Sequence, residues 1–212
     1  MANAEKLMPL IQKWEGGYAN HPNDNGGCTM KGVTIKTYRN FFGSSKTCSD
    51  LKKITDNEWL GIFKDGYWNP MMGDEIKNQS IANIIIDWGW MSGVKTVSKK
   101  IQKLIGVKDD GIFGPQTINA INGKEPETLF NIIYKEREKF YYSICEKKPE
   151  QKVFLNGWLN RLNDYKFEEE TLPEEKKIED KKNEKHFMDI IRKFSNACIF
   201  RGLWGNKTCT GN

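Results

Sequence analysis

Residues 14–34 read Trp14-Glu15-Gly16-Gly17-Tyr18-Ala19-Asn20-His21-Pro22-Asn23-Asp24-Asn25-Gly26-Gly27-Cys28-Thr29-Met30-Lys31-Gly32-Val33-Thr34. Upstream, Leu7, Leu10, Ile11 and Trp14 recur at helical spacing, so an amphipathic helix runs into this stretch. Gly16-Gly17 is expected to end that helix by supplying the left-handed conformation common at helix C-termini. Pro9 removes a backbone donor in mid-helix, so the helix is expected to begin at Pro9, as its first position. Tyr18 to Gly27 is dense in turn formers. Short strand-like pieces are expected between Cys28 and Val33, with Thr34 capping the next helix.

Two carboxyls frame this stretch. Glu15 sits at a helix C-terminus, where the macrodipole disfavours an anion, and Trp14 and Tyr18 flank it. Both features disfavour the ionised form, as a general acid at neutral pH requires. A solvated surface glutamate is the plain alternative. Asp24 follows in a loop rich in Asn and Gly, where backbone hydrogen bonds and water keep a carboxylate charged. An ordinary turn aspartate is the alternative there. One carboxyl kept protonated and one kept charged, on two sides of a turn, is the division of labour in glycoside hydrolysis.

Outward from this region the pattern is helical. Thr55-x-x-Glu58 is a capping box, followed by Trp59, Ile62 and Phe63 as an apolar face and Gly66 as a stop. Residues 78–105 read as two helices with a break near Gly93. Asp110-Gly111-Ile112-Phe113-Gly114 reads as a turn into a helix with Pro115 at its first position. Asp109-Asp110-Gly111 lacks the alternating oxygens and closing glutamate of an EF-hand calcium loop. Helices near 126–146 and 150–164 complete the body. The expected class is mainly α (α+β), with a small irregular or β lobe near the N-terminus.

Composition bounds the rest. The chain has 212 residues, 38% hydrophobic and 12% aromatic, which excludes a wholly disordered polymer. No apolar run approaches the roughly 18 residues of a membrane span; the longest, Ile81 to Ile86, ends at Asp87. Met1 leads straight into Ala2-Asn3-Ala4-Glu5-Lys6, without the pattern of a cleavable signal. Synthesis in the cytoplasm is therefore expected, with any export by another route. The net charge is +5, and residues 166–186 carry six Lys against eight Asp or Glu, leaving the remainder at +7. A basic body suits nucleic acid, an anionic membrane or a bacterial wall, and solubility alone accounts for it equally. The five cysteines form no C-x-x-C, and the histidines are His21 and His186, so neither a metal nor a cofactor is expected. Buried free thiols are the expectation, with Cys198–Cys209 the one local pairing.

The quoted stretch resembles glycoside hydrolase family 108, the bacterial and prophage N-acetylmuramidases. That family's motif runs approximately E-G-G-Y, then P-x-D-x-G-G-x-T, then G-I-T. Tyr67-Trp68, Asp87-Trp88-Gly89-x-x-x-Gly93 and Asp110-Gly111-x-x-Gly114-Pro115-x-Thr117 continue the likeness. Arg137-x-x-Phe140-Tyr141 and Phe154-Leu155-x-Gly157-Trp158-x-x-Arg161 resemble the end of the associated predicted peptidoglycan-binding region. Departures are Cys28 where alanine is usual, Met30-Lys31, and Pro9.

The resemblance implies a lysozyme-like fold and cleavage of the β-1,4 bond between N-acetylmuramic acid and N-acetylglucosamine. It makes Glu15 the general acid. By similarity to phage-type lysozymes, Asp24 and Thr29 orient water, with inversion and the carboxyls roughly 6.5–9.5 Å apart. Tyr18, Asp87 and Trp88 become candidate substrate contacts, a paired buried Asp and a core Trp being the alternatives. Trp68, Trp90 and Trp158 likewise either stack on sugars or fill the core. The implied partner is the peptidoglycan glycan strand, reached through a holin pore or a secretion event; nucleic acid is not expected, and the default is a monomer.

The expected domains are a muramidase domain at 3–88, a peptidoglycan-binding region at 89–165 (or one continuous fold with the first), a charged linker at 166–186 and an amphipathic tail at 187–212. The tail folds back on the body, binds a partner helix or lies on a membrane. Two rival readings stay open. One is a lytic transglycosylase, disfavoured by Gly16 where many carry serine. The other is a non-catalytic wall-binding or secretion-accessory protein.

Overall fold

The computed structural model describes residues 1–20, 27–169 and 187. Residues 1–168 pack as one unit and residues 169–212 are set apart as a second. Of the second, Glu169 and Phe187 are described, and Phe187 is helical and exposed. The linker and tail expectations and the Cys198–Cys209 pairing otherwise lie outside the described residues, as do His21 and Asp24.

Helix α1 spans Ala4–Trp14, opened by the Asn3 side chain accepting from the Glu5 N–H, and it buries Leu7 and Ile11. Pro9 lies inside this helix rather than at its start. It is exposed, on the side of the helix away from the buried Leu7 and Ile11. The helix also ends differently from expectation. Glu15 itself turns extended, with φ −82° and ψ 134°, and the positive-φ glycines do not include Gly16 or Gly17.

The small lobe follows. Strands β1 (Thr29–Met30) and β2 (Val33–Thr34) pair antiparallel, Thr29 opposite Thr34 and Met30 opposite Val33. Lys31 (φ 47°) and Gly32 (φ 76°) make the turn between them, the pattern of a type I′ hairpin. Ala19 bridges Thr29 on the other side. Thr34 caps α2 (Ile35–Phe42) as the sequence predicts. Helix α3 (Cys48–Leu51) brings Cys48 to Cys28, and the two form a disulfide. This corrects the free-thiol expectation: the hairpin and α2 fold the chain back across twenty residues, a pairing that local spacing does not reveal. Cys145 is a buried free thiol.

The body is helical. The Thr55–Glu58 capping box opens α4 (Asp56–Phe63), which passes into a π-helical turn at Lys64–Trp68 instead of stopping at Gly66. Helix α5 (Gln79–Ser92) buries residues on every side, from Ile81 through Gly89, as a central helix does. It packs on α6 (Val94–Ile105) beyond the Gly93 break, on α8 (Pro126–Lys147) and on α1. Helix α7 (Pro115–Asn122) starts at Pro115, and α9 (Lys152–Asn163) lies along α8. Among the described residues the fold is thus nine α-helices and one two-stranded sheet, the mainly α class expected. Helix α5 runs straight through the 88/89 position at which a domain boundary was expected, and residues on both sides of it share one core. No described helix is long and apolar enough to cross a membrane.

Candidate active site

The end of α1 is pinned by α9. Lys13 Nζ (2.7 Å) and Trp14 Nε1 (2.6 Å) both donate to Asp164 Oδ2. Trp14 is therefore turned toward α9, and Tyr18 is half-buried with Lys52 Nζ 5.3 Å above its ring.

Different groups define the surroundings of Glu15. Its Oε1 accepts from Trp90 Nε1 at 2.7 Å and from Arg161 Nη1 at 2.9 Å. Its Oε2 lies against the hairpin turn, so close that a Cβ on Gly32 would stand 2.7 Å away. The same Cβ would stand 2.7 Å from Trp90 Cζ2, so glycine is the residue that fits there, on conformation (φ +76°) and on space. The Glu15 side chain keeps 16% of its surface open to solvent. Tyr67 packs against Trp90 at a tilt, with ring centroids 4.7 Å apart, and burial followed by the Glu15 charge pushes its phenol up.

Behind Glu15 lies a buried ionic chain. Arg161 donates from Nη2 to Asp87 Oδ1 at 2.6 Å and from Nε to the same oxygen at 3.0 Å. Arg137 donates from Nη2 to Asp87 Oδ2 at 2.6 Å, from Nε to Tyr141 Oη at 2.7 Å and from Nη1 to the Ile84 carbonyl at 3.2 Å. Burial pushes the Asp87 carboxyl up, but the charges and hydrogen bonds of Arg137 and Arg161 outweigh it and hold it below the usual carboxylate range. Burial and the Asp87 charge push the neighbouring Tyr165 phenol far up. With Glu15 ionised, two guanidiniums face two carboxylates and the cluster is neutral.

The candidates named from sequence divide accordingly. Glu15 is solvent-accessible and held by fixed donors. Thr29 is placed by its backbone, which exchanges hydrogen bonds with Ala19 at 2.8 and 2.9 Å within the lobe beside Glu15. Asp87 and Trp88, proposed as substrate contacts, are both fully buried. Asp87 serves the two arginines, and Trp88 packs on Phe140 at 5.6 Å; neither offers a surface to a ligand. Two residues have unexpected roles. Arg161 was legible as a motif residue and Trp90 as a tryptophan for sugar or core, but no local signal linked them to Glu15, which lies 146 and 75 positions away. Among the described residues no group of three or more His, Cys, Asp or Glu is placed to hold a metal.

The structure of Brucella abortus SagA matches with a TM-score of 0.63 at 27% identity, over 76% of this chain and 90% of that one. No curated protein sequence matches. The family model for glycosyl hydrolase 108 matches residues 8–93, which hold Glu15, Asp87 and Trp90. The model for a predicted peptidoglycan domain matches residues 96–163, which hold Arg137 and Arg161. The chain therefore carries a glycosyl hydrolase 108 domain followed by a predicted peptidoglycan domain, and it is a glycoside hydrolase acting on peptidoglycan.

Proposed function

We propose that the chain is an N-acetylmuramidase that cleaves the β-1,4 bond between N-acetylmuramic acid and N-acetylglucosamine, with Glu15 as general acid. The observation that carries this reading is the asymmetric setting of its carboxyl. Oε1 receives two N–H donors, neither of which accepts a proton. The transferable proton therefore belongs on Oε2, the oxygen facing the hairpin turn. Glu15 gives that proton to the glycosidic oxygen as the bond to the muramic acid C1 breaks. A water held by Thr29 and Asp24 adds to C1 from the opposite face and loses its proton to Asp24, which yields an inverted product. Trp90 and Arg161 act as positioning residues by fixing the rotation of the carboxyl. The substrate lies outside the cytoplasmic membrane, so the enzyme works after release through a pore or secretion event.

Digestion of purified peptidoglycan by the native chain and by Glu15→Gln, with mass and reducing-end analysis of products, tests the reading. Native enzyme is expected to release muropeptides with reducing N-acetylmuramic acid, and the variant to lose at least 100-fold in rate, the general-acid contribution being about 10²–10⁴-fold. A variant that digests at the native rate removes Glu15 from the mechanism. Anhydro-muramyl products replace the hydrolase with a transglycosylase.

A further inference from the structure

Helix α9 brings more than Arg161 to the site. Asp164 meets Lys13 and Trp14, while Arg161 meets Glu15. The N-terminal half of α9 leads on from Arg161, away from the Asp164 contact. Residues 154, 157, 158 and 161 stand at i, i+3, i+4 and i+7 and share one face. Exposure along that face falls toward the acid: Phe154 is 53% exposed, Gly157 is exposed, Trp158 is half-buried and Arg161 is 4% exposed. The Phe154 ring stacks on Trp158 (6.1 Å, 28°), and Trp158 leans on Tyr141 (5.5 Å).

Two positions on this face are not explained by folding. Phe154 leaves more than half of its surface in water. Gly157 interrupts a helix interior although nothing lies within 4 Å of a Cβ built there, and glycine weakens a helix at such a position. Both features suit a flat ligand laid on the helix. Aromatic faces accept the apolar faces of pyranose rings, and a bare glycine lets a ligand approach the backbone closely. Phe154 and Arg161 stand about 10 Å apart along the helix axis, room for more than one sugar ring.

We propose that Phe154, Gly157 and Trp158 form a saccharide platform that holds the peptidoglycan glycan strand beside the scissile bond. The occupant follows from continuity: the same face of the same helix ends on the carboxyl of Glu15. The proposal rests on the muramidase reading for the identity of the strand, and it is tested by binding as well as by turnover.

The binding test uses the full-length Glu15→Gln chain and co-sedimentation with purified insoluble peptidoglycan. Adding Phe154→Ala or Gly157→Leu is expected to weaken the apparent Kd at least five-fold, while Phe41→Ala, an exposed phenylalanine on α2, changes nothing. In the native background, Phe154→Ala is expected to raise KM on soluble un-cross-linked glycan strands by a similar factor, with kcat within two-fold and an unchanged melting temperature. Binding of both double variants within two-fold of the Glu15→Gln parent overturns the platform, as does a parent that does not bind the wall. A parent that binds through Phe154, beside a native chain that cleaves no glycan, retains the platform and refutes the muramidase.

Discussion

Replacing Asp87 with asparagine removes one negative charge from the centre of the molecule and leaves its shape almost unchanged. The Arg137 side chain is fully buried and that of Arg161 is 4% exposed, and Asp87 is the carboxylate they share. With asparagine in its place, Arg161 keeps Glu15, whereas Arg137 is left with neutral acceptors alone, the Tyr141 hydroxyl, the Ile84 carbonyl and at best the asparagine amide oxygen. Removing one partner of a buried ion pair costs about 3–5 kcal/mol. The unfolding entropy of the packed unit, Met1–Glu168, is about 0.35 kcal/mol/K from the per-residue average, so the melting temperature should fall by about 9–14 °C. Circular-dichroism melts at pH 7 measure this. The sign of the pH dependence follows from the depressed Asp87 carboxyl. Its stabilisation is fully present above the unfolded value of about 3.9 and is lost as pH falls through the lower folded value. The gap between native and variant melting temperatures should therefore narrow below about pH 4. A shift of less than about 3 °C at pH 7, roughly 1 kcal/mol, would falsify the view that this carboxylate holds the arginines in place.

Two further outcomes follow. Gly32→Ala should cut wall hydrolysis at least ten-fold, because its Cβ would meet Glu15 Oε2 and Trp90 Cζ2 at 2.7 Å, and it should add about 1–2 kcal/mol of backbone strain at positive φ; native-like digestion by this variant would show that the turn does not press on the acid. Cys48→Ala opens a loop spanning 20 positions, which should cost about 3 kcal/mol; identical melts for the variant and the native chain would show that the bridge adds nothing.

Much of the frame was legible because its signals are local. The caps at Thr34 and Thr55, the break at Gly93 and the proline start of α7 each lie within one turn of the element they define. Glu15 was legible as a residue at a helix end, though it is the residue that leaves the helix rather than the last one within it. The partners of Glu15 were not legible. Trp88 and Trp90 are two positions apart on one helix and so point about 200° apart. One fills the core and the other reaches the acid, and only the packing of α5 against its neighbours decides which. The Cys28–Cys48 bridge and the Arg161 contact were hidden for the same reason: both depend on where the chain returns after a long excursion.

The two family models meet between residues 93 and 96, yet the charges they contribute are interleaved. Glu15 and Asp87 come from the first segment, and the two guanidiniums that neutralise them come from the second. Recombination at that junction is thus constrained in a way that an autonomous binding module would not be. A chimera that takes its second segment from another chain inherits a stranded buried aspartate and an unanchored acid unless the donor supplies arginine at both places. The faces of α8 and α9 that carry Arg137 and Arg161 must be inherited together with the first segment.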